Sequence, residues 1–199
     1  NYENNISIEN LAKDVGNLVD HLNLKNVCLV GLSIGGLIAL EFIKQRPKTC
    51  KKLILCDTAP KIGSTDMWAD RIKRVQEGGI EAISDDILAR WFSTSFLKDK
   101  SDELQMWRSM LTRTTKSGYI GCCEAISRCD LTEQAKIINL PTLVIVGEED
   151  GSTPVNLVRD AANLIKNSVF KVIEKAGHLP CVEKPNEVGS TFMQFLENN

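Results

Sequence analysis

The feature that most constrains this chain is a G-x-S-x-G pentapeptide between a short apolar segment and a helix-forming segment. Gly31 and Gly35 flank Ser33, and residues 26–30 before them are mostly apolar. A serine on a tight strand-to-helix turn brings its backbone close to neighbouring chain, so residues without a Cβ are expected on both sides. The pattern predicts a turn that presents the Ser33 hydroxyl above a sheet. The Ile34 N–H, at the start of the helix, would face a developing oxyanion.

A serine hydroxyl is a weak nucleophile and needs a base within hydrogen-bond reach. The chain has two histidines. His21 ends an amphipathic helical pattern, and we interpret it as a solvated or capping residue. His178 lies in a Gly/Pro-bounded loop after the apolar residues 169–173, where a scaffold can present a base. We therefore predict His178 as the general base.

The acid that orients such a histidine is expected between the serine and the histidine in chain order. Residues 143–147 have the composition of a buried parallel strand, and an acidic loop follows them. We predict Asp150 as the acid. Glu148 and Glu149 lie closer to the strand end and are expected to be solvated, although Glu149 stays open as a substitute.

Alternation of strand and helix patterns predicts the architecture. The segments with strand patterns are residues 26–30, 52–56, 143–147 and 169–173. Residues 61–137 have helical periodicity without a strong strand signal. We predict an α/β fold with a mostly parallel sheet flanked by helices, in which residues 1–60 and 138–199 form the core and 61–137 a helical cap. Thr153 and Pro154 are expected to open the next helix as its cap and first residue.

Composition excludes several classes of function. The 199 residues are 43% hydrophobic with a net charge of -2, which is ordinary for a soluble domain. Since no run approaches the roughly 18 apolar residues of a membrane span, and no signal peptide opens the chain, we expect a cytoplasmic protein without a membrane partner. Basic residues are scattered and no phosphate-binding glycine loop is present, so no nucleic-acid partner is expected. The adjacent Cys122 and Cys123 have no nearby histidine or second pair, which argues against a metal site.

Three core segments resemble those of lid-bearing α/β-hydrolases: G-L-S-I-G-G at residues 31–36, V-G-E-E-D-G-S-T-P at 146–154 and A-G-H-L-P at 176–180. Two segments of the cap are similar to segments of 3-oxoadipate enol-lactonases. These are R-W-F-S-T-S-F at residues 90–96 and G-Y-I-G-C-C-E-A-I-S-R-C-D at 118–130. The core segments indicate the superfamily, and the cap segments are the more specific part of the resemblance.

The resemblance implies hydrolysis of a five-membered enol-lactone that bears an acetate arm. In that reaction His178 would take the Ser33 proton, Ser33 would attack the lactone carbonyl, and the Ile34 N–H would bind the oxyanion. Asp150 would orient the histidine, and water would release the acyl-enzyme. The chemistry calls for neither a metal nor an organic cofactor.

The cap is expected to supply the substrate pocket. Trp91, Trp107 and Tyr119 are its aromatic candidates, with packing in a core as the alternative reading of each. The acetate arm calls for a cation. The cap offers three arginines, among which the sequence makes no choice: Arg90, Arg113 and Arg128.

The chain departs from the family pattern before Ser33. Hydrolases of this type begin with several strands, and a loop among them supplies a second oxyanion N–H, commonly beside an H-G motif. Neither precedes Ser33 here, which we interpret as an incomplete N-terminus. An exposed sheet edge is expected there, so a homo-oligomer or association through that edge stays open. Two other functions also stay open: a broad-specificity carboxylesterase, and a non-catalytic ligand-binding or interaction protein on a shortened hydrolase fold.

Overall fold

Four parallel strands form the centre of the protein. In the computed structural model, which describes residues 6–198, they lie in the order β1-β2-β3-β4. The strands are β1 (Val27–Leu32), β2 (Cys50–Cys56), β3 (Thr142–Gly147) and β4 (Val169–Ile173). Every residue of β3 is buried, as expected for a strand with neighbours on both sides and helices on both faces.

Helices cover both faces of the sheet. They are α1 (Ile8–His21), α2 (Ile34–Gln45), α9 (Val155–Leu164), α10 (Pro180–Glu183) and α11 (Pro185–Asn198). Successive strand residues point to opposite faces, and the two cores follow that alternation. Leu53 and Leu55 of β2 pack with α1, α2 and α9, whereas Ile54 packs with Val188 and Phe195 of α11.

Strand β1 lies at one edge of the described sheet. Its burial alternates along the strand, and the Val30 side chain is 53% exposed. The expected exposed edge is therefore present in the described residues, and association through it stays a prediction.

Six helices lie between β2 and β3, and the structure contains no strand in that segment, all of which it describes. We call them the inserted helices: α3 (Thr65–Gly78), α4 (Glu81–Trp91), α5 (Thr94–Asp99), α6 (Ser101–Thr112), α7 (Lys116–Ser127) and α8 (Thr132–Lys136). They have apolar clusters of their own, one around Val75, Ile83 and Leu111 and one around Phe92 and Phe96. The domain boundaries at residues 61 and 137 remain a prediction.

The expected start of α9 was wrong by one residue. The helix begins at Val155 with Pro154 as its N-cap, and the Thr153 side chain does not cap it. The Thr153 hydroxyl instead donates to Asp150 Oδ2 at 2.6 Å, because the buried carboxylate is the stronger acceptor. Across residues 6–198, no helix is long and apolar enough to cross a membrane.

Candidate active site

Ser33 occupies the turn between β1 and α2 in a strained conformation. Its φ is 53° and its ψ is -120°, a region that non-glycine residues rarely adopt. The surrounding backbone holds it there: the Ser33 N–H donates to Cys56 O at 3.0 Å, and the Thr58 hydroxyl donates to Ser33 O at 2.7 Å. Neighbouring structure therefore determines the serine conformation, as is common at functional sites.

The glycines around this turn differ in how much space a Cβ atom would find at each. A Cβ on Gly31 would lie 2.3 Å from Gly35 O, so the prediction is confirmed at Gly31. A Cβ on Gly35 would meet no other atom within 4 Å, so the expected constraint there was wrong. The second crowded position is Gly36, where a Cβ would lie 2.3 Å from the Thr58 side chain. The first turn of α2 packs against the loop after β2, which pentapeptide spacing does not reveal.

Ile34 is the first residue of α2 and lies beside Ser33 at the wall of a cavity. The first N–H groups of a helix have no acceptor within the helix, and they point outward from its positive end. The Ile34 N–H is therefore suited to bind an oxyanion formed at Ser33.

His178 and Asp150 are hydrogen-bonded and buried. His178 Nδ1 lies 2.8 Å from Asp150 Oδ2, and the two residues are 3% and 5% exposed. The backbone N–H groups of Ser152 and Thr153 donate to Asp150 Oδ1 at 2.7 and 2.9 Å. Burial raises the pKa of Asp150, but the hydrogen bonds from His178 and Thr153 outweigh it, and the pKa lies below its usual value. Asp150 is therefore ionised at neutral pH, and a histidine that donates through Nδ1 has Nε2 available to accept a proton.

The neighbouring glutamates have other partners. Glu149 is exposed, and its Oε2 accepts from the Thr94 N–H and hydroxyl, both at 2.8 Å. Glu148 Oε2 accepts from the Lys175 N–H at 3.0 Å. The structure thus places Asp150 beside the histidine and Glu149 beside the inserted helices, while the catalytic roles themselves remain predictions.

A cavity of about 190 Å³ opens beside Ser33 and His178. Trp91 and Tyr119, two of the three aromatic candidates from the sequence, line it, and so does Trp68, which the sequence analysis missed. Trp107 lies elsewhere. Its ring is 6.0 Å from that of Phe92, and its Nε1 is buried and has no hydrogen-bond partner in the described part of the chain. Helical periodicity indicates which residues are apolar, but not which neighbouring helix each of them faces.

The cavity carries positive charge. Arg71 and Arg90 line it, and among the residues that the structure describes no aspartate or glutamate does. Arg71 Cζ lies 4.9 Å from the Trp68 ring centroid, which is cation–π geometry. Of the other arginines proposed from the sequence, Arg128 pairs with Glu124 at 3.7 Å, and neither it nor Arg113 lines the cavity. The spacing of Trp68 and Arg71, three residues apart on α3, was the available signal for the missed cation.

Two further acidic residues lie near the histidine, and the sequence analysis named neither. Glu183 Oε1 accepts from the Gly177 N–H at 2.7 Å, directly before His178. Asp57 follows β2 and its Oδ1 accepts from the Gly147 N–H at 2.8 Å. An aspartate directly after a buried strand was a usable signal for Asp57. Glu183 had none, because its other partner, Ser93, lies 90 positions away.

Asp57, Asp150 and His178 each have a possible metal-ligand atom within 4.8 Å of those of the other two. They form the one such cluster among the described residues. Asp150 and His178 already use their facing atoms for a mutual hydrogen bond. That arrangement suits proton transfer, and we assign no metal centre to it.

Comparison with known proteins gives the family. The profile of the Ndr family matches residues 2–198. The chain belongs to the Ndr family of α/β hydrolases. A 3-oxoadipate enol-lactonase of Acinetobacter baylyi is 33% identical over 180 residues, which cover 89% of this chain and 66% of the relative. The chain thus spans about two thirds of that relative's length.

Solved structures agree with the fold of this chain. The enol-lactonase from Burkholderia xenovorans has a TM-score of 0.92 and 31% identity, covering 96% of this chain and 74% of that one. A thermophilic esterase from Thermogutta terrifontis, solved with malate bound, has a TM-score of 0.89 and 30% identity, covering 96% and 72%. The α/β-hydrolase fold predicted from the sequence is confirmed.

Proposed function

We propose that this chain is a serine hydrolase that opens 3-oxoadipate enol-lactone to 3-oxoadipate. Ser33 is the nucleophile, His178 the general base and Asp150 the residue that orients the histidine. The observation that carries the proposal is one small cavity that combines the strained serine, the buried His178–Asp150 pair and two arginines, with no carboxylate in its lining from residues 6–198. The names of the similar enol-lactonases support the same reaction.

The proposed mechanism uses Ser33, His178 and Asp150 in the order that their side chains suggest. The Ser33 proton passes to His178 Nε2 while Ser33 Oγ attacks the lactone carbonyl carbon. The oxyanion accepts from the Ile34 N–H. The ring C–O bond then breaks, His178 protonates the leaving enol oxygen, and the enol becomes the ketone. Water, deprotonated by His178, attacks the acyl-enzyme and releases the new carboxylate and Ser33.

Asp150 lowers the free-energy barrier of each proton transfer. Its ionised carboxylate accepts from His178 Nδ1 at 2.8 Å, which holds the tautomer with Nε2 free and stabilises the imidazolium once it forms. Because Thr153 and two backbone N–H groups also bind this carboxylate, its orientation is set before substrate arrives.

Size and charge favour a small anionic substrate. A cavity of about 190 Å³ is below the ~300–1,000 Å³ typical of drug-sized ligands. Arg71 and Arg90 offer guanidinium groups to the acetate carboxylate, and guanidinium matches a carboxylate in geometry as well as charge. Trp91 supplies an apolar wall beside them.

The first test is turnover of freshly generated 3-oxoadipate enol-lactone, followed by loss of ultraviolet absorbance, with Ser33→Ala as the control. A fluorophosphonate probe, which labels activated serines, is applied to both proteins in parallel. Serine-dependent turnover with labelling supports the proposal. Labelling without lactone turnover rejects this substrate, and faster hydrolysis of p-nitrophenyl acetate then favours the carboxylesterase. A folded chain with neither labelling nor turnover rejects the serine hydrolase and favours a binding protein.

A second test separates the arginines. Arg71→Leu and Arg90→Leu are compared with Arg113→Leu, which lies outside the cavity lining, on the lactone and on its methyl ester. Loss of a charge-assisted contact is expected to raise KM for the carboxylate substrate by about 10- to 100-fold, with little effect on the methyl ester. Equal losses on both substrates would contradict carboxylate binding by these side chains.

A further inference from the structure

Asp57 is a buried carboxyl group that the proposed reaction does not use. It directly follows β2, its φ is 49°, and it is 0% exposed. Its Oδ1 accepts from the Gly147 N–H at 2.8 Å. Its Oδ2 is buried and receives no hydrogen bond from any described residue. Such an orphaned oxygen costs free energy if it carries charge, because burial removes the water that would solvate it.

The nearest carboxyl group is that of Asp150: an oxygen atom of Asp57 and one of Asp150 lie within 4.8 Å of each other. Two ionised carboxylates have only acceptor atoms and repel each other, so a bond between them requires a proton on one. Asp150 already receives hydrogen bonds from three residues at its two oxygens. The proton therefore belongs on Asp57, at the oxygen that has no donor.

Of the five other titratable groups described around Asp57, four are carboxyls or thiols, which offer it no positive counter-charge, and the fifth, His178, is paired through Nδ1 with Asp150. These groups lie in β2, in the loops after β3 and β4, and in α10. They are, in that order, Cys56, Asp150, His178, Cys181 and Glu183. The two carboxylates disfavour ionisation of Asp57, and burial raises the pKa of both thiols, so each thiol is neutral at pH 7.

We propose that Asp57 is a positioning residue that stays protonated in the folded protein and donates its Oδ2 hydrogen to the Asp150 carboxylate. Asp57 then adds a further donor to the Asp150 carboxylate, beside Ser152, Thr153 and His178. Such a contact fixes the Asp150 carboxylate before it accepts from the histidine. Asp57 itself touches neither substrate nor the reacting atoms.

This state gives stability a distinctive pH dependence. Burial, with the nearby Asp150 charge, raises the pKa of Asp57 well above its ordinary value of 3.8, against the lowering effect of the Gly147 N–H. A raised folded-state pKa means that the stabilisation is fully present below the unfolded pKa and is lost as pH rises towards the folded one. In that window the unfolded chain has released the Asp57 proton and the folded protein has not.

The test is urea denaturation of the wild-type chain and Asp57→Asn between about pH 4.5 and 8. Asparagine tolerates the positive φ and cannot titrate. The quantity compared is the ratio of the folding equilibrium constant of the variant to that of the wild type. For Asp57→Asn we expect this ratio to rise by up to about tenfold per pH unit. Asp130→Asn is the control, since the pKa of Asp130 lies at about 2 and its ratio should stay flat in this range. A flat or falling ratio for Asp57→Asn would show an ionised Asp57 and overturn the proposal.

Infrared spectroscopy keeps the test decisive if the variant does not fold. Wild-type protein labelled with ¹³C-aspartate should show the carbonyl stretch of a protonated carboxylic acid at neutral pH. Absence of that band rejects a protonated Asp57.

The enzymatic activity of Asp57 variants tests whether Asp57 positions Asp150. This part of the experiment alone rests on the proposed function. The Asp57→Asn amide can still donate to Asp150, so most of kcat should be retained. Asp57→Gly accepts the same φ but lacks a donor, and kcat should fall by about tenfold with KM unchanged. Equal effects of the two variants would reject positioning. If the wild type is inactive on every ester while the stability ratio rises, the proposed function fails and the protonated Asp57 stands.

Discussion

Glu183 binds Ser93 through both the backbone and the side chain of the serine. The Ser93 N–H lies 3.2 Å from each Glu183 oxygen, and the Ser93 hydroxyl donates to the same carboxylate. Glu183 also accepts from the Gly177 N–H, directly before His178. One carboxylate therefore connects the loop that carries the predicted base to Ser93, which caps α5 among the inserted helices.

Removing that carboxylate should weaken both the fold and the site. Glu183→Ala leaves three donors without their acceptor, and we expect the free energy of unfolding to fall by about 2–4 kcal/mol. Displacement of His178 should lower kcat/KM by about 10- to 100-fold. Urea denaturation and steady-state kinetics measure the two effects. The control is Glu187→Ala, which removes a surface pair with Lys171 at 3.3 Å and should cost less than about 1 kcal/mol; similar losses in both variants would contradict the connecting role.

The two glycines of the pentapeptide should respond oppositely to alanine. Gly31→Ala would place a Cβ 2.3 Å from Gly35 O, so the turn must open, at a cost of about 3 kcal/mol or more. Gly35→Ala enters open space within α2 and should be neutral or stabilising by up to about 1 kcal/mol. Thermal unfolding of the two variants decides this. A strongly destabilised Gly35→Ala would contradict the distinction.

The Thr153 hydroxyl should influence the acid stability of the protein through Asp150. A depressed folded-state pKa gives Asp150 a stabilising effect that is present above its unfolded value of 3.8 and lost as pH falls through the folded pKa. Thr153→Val removes one hydrogen bond that lowers this pKa, so the variant should be less stable than the wild type at pH 7. The difference should narrow as pH falls towards 3, because protonated Asp150 no longer attracts the hydroxyl. Urea denaturation at both pH values measures this, and Thr153→Ser, which keeps the hydroxyl, should stay close to the wild type. A difference independent of pH would instead indicate lost packing.

The tryptophans of the inserted helices should separate binding from stability. Trp91 lines the cavity, so Trp91→Ala should raise KM by about tenfold. Trp107 packs against Phe92, so Trp107→Ala should leave KM unchanged and lower the free energy of unfolding by about 2–3 kcal/mol. Trp107→Phe should recover most of that stability, since it also removes a buried N–H that meets no acceptor among the described residues. A changed KM in Trp107→Ala would contradict this assignment.

The predicted site was accessible from sequence where its signals are local. Ser33 and Asp150 each follow a strand pattern and a turn signal, and chain order constrained which acid could serve. The structure places Asp150 within hydrogen-bond distance of His178. The roles of Arg71, Glu183 and Asp57 depend on contacts across the fold. The local signals at Arg71 and Asp57 do not reveal those contacts. Glu183 and Ser93 are 90 positions apart, as are Asp57 and Gly147.

The sequence by itself determined the alternation of strands and helices, the turn at Ser33 and the order of the three predicted catalytic residues, because periodicity and turn chemistry act over a few residues. Only the tertiary structure decided that Trp91 lines the cavity while Trp107 packs in a core, and that Gly36 is crowded while Gly35 is not. It also decided that the Asp57 carboxyl lies close to that of Asp150. These outcomes depend on how separate elements pack, and packing brings together side chains whose positions along the chain carry no common signal.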